Sequence, residues 1–258
     1  MPQLFDMELR ALRRDRAARI GPELFLFERA FSDCMERLAL VQRQFSRALL
    51  IGCPDAVWPG RLSAFAEKVD VRDPGPLFAE SAGAETLIED AWMPPEGAYD
   101  LVIALGTLDT VNDLPLAMRL IGYAMGPDAL LIGALSGADT LPQLRNAMRA
   151  ADSLSGGAAP YVHPRVEASA FASLLGEAGF VHPVVDVDRA TVSYPSLVRL
   201  VADLRAMGAT NILTARPRFV GRKARGAAIS AFADEGDGER TTESFEILHF
   251  AAWTAKKG

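Results

Sequence analysis

Ala48-Leu49-Leu50-Ile51-Gly52 is the stretch on which the fold turns. Four consecutive apolar residues stopped by glycine read as a short parallel strand buried on both faces. The same kind of segment recurs downstream. Val69–Val71 reads as a second strand ending near Asp73, Thr86–Ile88 as a third, Tyr99–Leu105 as a fourth and Ala129–Leu135 as a fifth. Helical patterns separate some of them, over Arg61–Lys68 and over Leu114–Met125, the latter stopped by Gly126-Pro127. Strands alternating with helices of this size predict an α/β fold with a mostly parallel sheet and right-handed crossovers.

Upstream of the first strand, Phe5 to about Phe45 carries apolar residues at three- and four-residue steps, interrupted at Gly21-Pro22. This predicts two helices that cap a face or edge of the sheet. The arginines of the first (Arg10, Arg13, Arg14, Arg16, Arg19) read as a solvated helix face. Downstream, Leu141–Leu154, Glu167–Ala178 and Pro195–Met207 read as helices. Val181–Val192 reads as an edge strand with Asp186 and Asp188 turned outward. Phe245–Thr254 is apolar on both faces and reads as an interior strand.

Composition narrows the class. The chain has 258 residues, 50% of them hydrophobic, enough for one sizeable core, and 23% charged, which excludes a disordered chain. A net charge of −6 argues against a nucleic-acid partner. Two cysteines, Cys34 and Cys53, make neither a disulfide framework nor a zinc site, and His163, His182 and His249 have no metal-ligand spacing. No apolar run is long enough to span a membrane, and the first residues lack the regions of a signal peptide, so a cytoplasmic protein is expected. Peripheral membrane contact and oligomeric state stay open.

In an open α/β sheet, ligands bind outside the carboxyl ends of the strands. The residues there are Gly52-Cys53-Pro54-Asp55-Ala56 after the first strand, Asp73 after the second, Glu89 and Asp90 after the third, and Gly106-Thr107-Leu108-Asp109 after the fourth. Asp73 lies 21 residues beyond Gly52, a distance suited to an acid that accepts from a ribose diol.

This order of a glycine-stopped strand, an acid about 20 residues on, an acid pair before Met93-Pro94 and then Tyr99-Asp100-Leu101-Val102 resembles the class I S-adenosylmethionine-dependent methyltransferases. A narrower resemblance rests on Val111-Asn112-Asp113-Leu114-Pro115, Gly126-Pro127-Asp128-Ala129 and Ile132–Leu141. It points to the subgroup of complex I assembly factor 5 proteins and biotin-pathway malonyl carrier-protein methyltransferases. Phe5-Asp6, Arg13–Ala18, Tyr194-Pro195 and Asp203–Asn211 resemble the assembly-factor branch.

The resemblance implies a Rossmann-like seven-stranded sheet with its last strand antiparallel. It implies a helical cap over residues 1–45 and a methyltransferase-like domain over 46–258, with helical insertions at about 139–178 and 195–235. It further implies S-adenosylmethionine as cofactor at Gly52, Cys53, Asp73, Glu89, Asp90 and Gly106. The implied partner is a protein substrate or a respiratory complex I subunit, methylated or hydroxylated on arginine, in the mitochondrial matrix if the source is eukaryotic. A non-enzymatic assembly scaffold and a malonyl carrier-protein O-methyltransferase are the alternatives.

Two departures from the family pattern bear on activity. The family loop reads Gly-x-Gly-x-Gly, whereas Pro54 here has a locked φ and no N–H to donate. Where the subgroup carries His-Trp, this chain has Asp109-Thr110. Asp109 is the candidate base, which would require a raised pKa, or else the cap of the following helix. Trp92 follows Asp90, where the family often stacks a ring near adenine, but core packing is the expected role.

Overall fold

The structure, a computed structural model, describes residues 3–154, 159–216 and 220–256. The chain opens with α1 (Met7–Ile20), whose N-terminus is capped by the Asp6 carboxylate accepting from the Leu9 amide. Gly21 ends it at φ +92°, a conformation that glycine adopts without strain. Then follow α2 (Phe25–Val41), β1 (Phe45–Ile51), α3 (Trp58–Leu62), β2 (Ala66–Asp73), α4 (Pro76–Ser81) and the two-residue β3 (Glu85–Thr86). Next come β4 (Tyr99–Leu105), α5 (Leu114–Ala124), β5 (Met125–Ser136), α6 (Pro142–Asp152), α7 (Ala168–Glu177) and β6 (Val181–Tyr194). The chain closes with α8 (Leu197–Ala206), α9 (Arg222–Asp234) and β7 (Thr241–Trp253).

The seven strands form one sheet in the order β3-β2-β1-β4-β5-β7-β6. β1 to β5 pair in parallel, and β7 runs antiparallel between β5 and β6. The expected α/β class and antiparallel last strand are both present. The strand order reverses between β1 and β4, so the ligand crevice of this topology lies where Gly52 and Gly106 leave the sheet.

The apolar runs are buried on both faces, as their composition demands. Leu49, Ile51, Val102, Ala104 and Leu131 pack under α5 and α7. Ala48, Leu50, Leu101, Ile103 and Ile132 pack under α2 through Phe31, Cys34 and Leu38. A separate helical cluster joins α6, α8 and α9 around Leu144, Leu200, Leu204, Ala228 and Phe232.

Several boundaries differ from the sequence reading. The helix expected over Arg61–Lys68 is instead Trp58–Leu62, and the chain is already extended at Ala66, which pairs with Phe45. Trp58 decides this: it is fully buried, stacks on Phe31 at 4.4 Å, and donates its indole N–H to Glu28. The helix expected over Leu114–Met125 is present and ends at Ala124, and Gly126-Pro127 lies inside β5, at a register shift against β4 that accommodates a residue with no N–H. The pattern reading missed α4 and the Ala-rich α9.

Candidate functional site at the strand ends

Gly52 leaves β1 at φ +85°, and a Cβ there would lie 2.1 Å from the Leu105 carbonyl oxygen of β4. Only glycine permits that approach. The following loop does not open into a cradle of donors. The Asp55 side chain accepts from the Val57 amide and its carbonyl from Trp58, which turns the chain directly into α3. Cys53 is buried, and its thiol is pushed up to about 12, first by burial and then by the charges of Asp73 and Asp55. It is therefore a packing residue and not a nucleophile at neutral pH.

Asp73 is fully buried, and all its acceptor positions are used. Oδ1 accepts from Arg14 Nε at 2.8 Å and the Gly75 amide at 2.6 Å. Oδ2 accepts from Arg14 Nη2 at 2.5 Å and the Cys53 amide at 2.8 Å. An ionised carboxylate offers about four lone-pair sites. Glu89, also fully buried, takes a two-pronged pair from Arg10 at 2.7 and 2.8 Å, and Arg10 Nη2 additionally reaches the Thr107 carbonyl at 2.7 Å. Burial acts to lower the Arg10 pKa, but the charge and hydrogen bonds of Glu89 outweigh it, and the net shift is upward.

The expectation of a solvated arginine face is thus overturned for Arg10 and Arg14, which are both buried. They lie one helical turn apart on α1 and point into the same strand ends. An i, i+4 arginine pair in the sequence was the available signal. It could not be matched to Asp73 and Glu89 without knowing that α1 crosses the sheet edge.

The remaining predicted residues take other partners. Asp90 accepts from the Asp113 amide at 2.8 Å and ties its loop to the start of α5. Gly106, at φ +60°, faces the Phe27 ring. Asp109 does not cap α5, because Asp113 does so by accepting from the Leu116 amide. Asp109 sits in a 3-10 turn (Leu108–Thr110) and forms a buried ion pair with Arg165. Trp92 packs against the core on the α5 side. His163, in the loop before α7, accepts from the Ile212 amide through Nε2 at 3.0 Å and meets the Phe5 ring edge-on. Burial first, and then Arg165, lower its pKa to about 4, against a smaller opposing effect of Asp109.

Two spaces adjoin this site. A cavity of about 110 Å³ lies beyond the ends of β4 and β5, walled by Leu26, Phe27, Met207 and Phe245, with Asp109, Arg165 and Glu246 as charged groups. A second, of about 50 Å³, lies among Arg10, Arg14, His163 and Gly208. The side chains of Arg10 and Arg14 form part of the wall of the second space. With α1 seated, the strand-end residues do not fit the expected cofactor: the acids have no acceptor to spare and Arg10 and Arg14 fill the space.

No family model matches the chain. Among curated proteins it is similar to the arginine-hydroxylase NDUFAF5, mitochondrial, of Mus musculus, with 31% identity over 97% of this chain and 77% of that protein. The human protein of the same name is 30% identical over 97% of this chain and 76% of its own length. A malonyl-[acyl-carrier protein] O-methyltransferase of Xylella fastidiosa is 31% identical over 61% of this chain and 52% of its own. Among solved structures, the YcgJ protein of Bacillus subtilis aligns with a TM-score of 0.57 at 9% identity, covering 86% of this chain and 97% of that one. The N-methyltransferase NodS of Bradyrhizobium japonicum, solved with S-adenosyl-L-homocysteine, aligns with a TM-score of 0.51 at 14% identity, covering 95% and 98%. The structural likenesses establish the fold, and the end-to-end sequence similarity establishes the kinship: the chain belongs to the NDUFAF5 family of methyltransferase-fold proteins.

Proposed function

We propose that the protein acts on a protein substrate during assembly of respiratory complex I, either methylating it with S-adenosylmethionine as methyl donor or hydroxylating one of its arginines, a C–H to C–OH oxidation that takes molecular oxygen and an external reductant as co-substrates. The observation that carries this reading is the similarity to the arginine-hydroxylase over 97% of the chain. The site supports it through the placement of Asp73 and Glu89 at neighbouring strand ends of a methyltransferase fold. Gly52, Cys53, Asp73, Glu89, Asp90 and Gly106 remain the proposed cofactor residues, and Asp109 the proposed functional acid. The compartment that goes with this role is the cytoplasm, or the mitochondrial matrix in a eukaryote.

The test is a deletion strain examined for assembled complex I on native gels, with mass spectrometry of the subunits. The expected result is less assembled complex and loss of one methyl group or one oxygen from an arginine peptide. Normal assembly with unchanged peptide masses would sink the proposal.

A second reading, a scaffold that assembles without catalysis, is favoured by the saturation of Asp73 and Glu89 and by Pro54 in the loop. Restored assembly by a variant unable to modify the substrate would select it. The malonyl carrier-protein reading rests on a similarity confined to 61% of the chain. Failure to restore growth of a biotin-pathway deletion strain without biotin would count against it.

A further inference from the structure

We infer that α1 is a detachable lid: Arg10 and Arg14 hold Glu89 and Asp73 in the closed state, and the helix must lift before an adenosyl cofactor can take the same acids. This rests on the cofactor reading proposed above.

The first support is competition for the same atoms. The Arg14 fork contributes two of the four donors on Asp73, and the Arg10 fork holds both oxygens of Glu89. A ribose diol and a guanidinium cannot donate to the same lone pairs. Arg14 also lies over the Phe78 ring, at 5.2 Å from its centroid, and a Cβ on Gly75 would come within 2.7 Å of the Arg14 Cβ. The seat of α1 is therefore tight at the place where a cofactor would need room.

The second support is how α1 is held. Its buried residues are Arg10, Arg14, Asp15 and Ala17, with no large aliphatic or aromatic side chain among them. Asp15 accepts from the Leu77 amide, and Arg16 donates to the Thr210 hydroxyl. Leu12 and Ile20 are 59% and 58% exposed. The next helix is the contrast: α2 buries Phe31, Cys34 and Leu38 in the main core. A helix docked by charged and polar groups gains little from the hydrophobic effect, and its arginines regain hydration on leaving. The two helices meet at Gly21, whose φ of +92° and open surroundings leave a hinge. On the other side, Phe5 sits in a small cluster with Ile212 and Leu213, apart from the main cores, and that cluster opens with the lid.

The closed state is also the physical remedy for an empty site. Two buried carboxylates without partners carry a heavy desolvation cost. Arg10 and Arg14 remove it, and the hydroxyl donors of a bound cofactor remove it in their place. Each occupant thereby excludes the other.

The experiment uses the full chain, titrated calorimetrically with S-adenosylmethionine, with hydrogen exchange of the α1 amides followed in parallel. Ala17→Glu places bulk and charge on the fully buried inner face of α1 and leaves both arginines and both acids intact. The lid predicts that this variant exchanges faster in α1 alone and binds by about tenfold tighter or more, the ratio made by 1.4 kcal/mol. It also predicts that the cofactor deprotects α1 in the wild-type chain. Cofactor binding with α1 still protected overturns the lid and leaves the cofactor reading standing. No binding by Ala17→Glu, with its α1 shown to be released, overturns the cofactor reading and the lid together.

Discussion

Acidification from about pH 8 to pH 5 should cost the fold stability through His163. Its Nε2 is the acceptor for the Ile212 amide, and its ring is enclosed with Phe5 against it and Arg165 beside it. Burial and Arg165 bring its pKa from the ordinary 6.5 down to about 4. Because the folded pKa is depressed, the unfolded chain binds the proton first as pH falls. Native stability is therefore unaffected above pH 6.5, declines between 6.5 and 4, and has lost the whole contribution below about 4. Linkage gives about 2 kcal/mol at pH 5 and about 3 kcal/mol below pH 4. For a chain of this size, 2 kcal/mol corresponds to roughly 4–8 °C in Tm.

Many carboxylates titrate in the same range, so the assay compares two proteins. His163→Gln keeps an acceptor for the Ile212 amide and removes the titrating group. Urea midpoints of wild type and variant, measured every half unit from about pH 8 to pH 4.5, should converge as pH falls, the wild type losing about 2 kcal/mol more by pH 5. A difference between them that stays constant across the range would refute the assignment.

Three further outcomes follow from the same geometry. Arg14→Ala leaves Asp73 buried without its charge partner, so a loss of about 3–5 kcal/mol is expected; a denaturation midpoint within error of wild type would mean that the pair does not form in solution. Gly52→Ala sets a methyl group against the Leu105 oxygen at a positive φ and should destabilise by about 3 kcal/mol, an expectation that an unchanged thermal midpoint would contradict. Cys34 and Cys53 are buried with pKa values pushed upward by burial, so a thiol reagent at neutral pH should react only after denaturant is added, and prompt labelling of the folded chain would tell against this packing.

The strand ends show where sequence reading stopped. Asp73, Glu89 and Gly52 were legible because each follows a recognisable apolar run, and topology places such residues at the ligand crevice. The role of α1 was not legible. Its arginines look like those of any surface helix when their neighbours along the chain are the only guide, and the acids they meet lie 59 and 79 residues away. The cap alternative for Asp109 fails for a related reason. A short acid before a helix is a reasonable cap, but Asp113 stands nearer the helix start, and Arg165, 56 residues on, supplies a stronger partner.

By itself the sequence determined the α/β class, the parallel strands, the interior position of the last strand and the identity of the residues at the carboxyl ends. These follow from local patterns, because burial on two faces demands continuous apolar runs and a chain leaving a parallel strand close to its neighbour demands glycine. Only the tertiary structure decided what those strand-end acids face. A salt bridge depends on where two distant segments meet in space. The packing of α1 across the sheet edge turned Arg10 and Arg14 from surface charges into the partners that close the site.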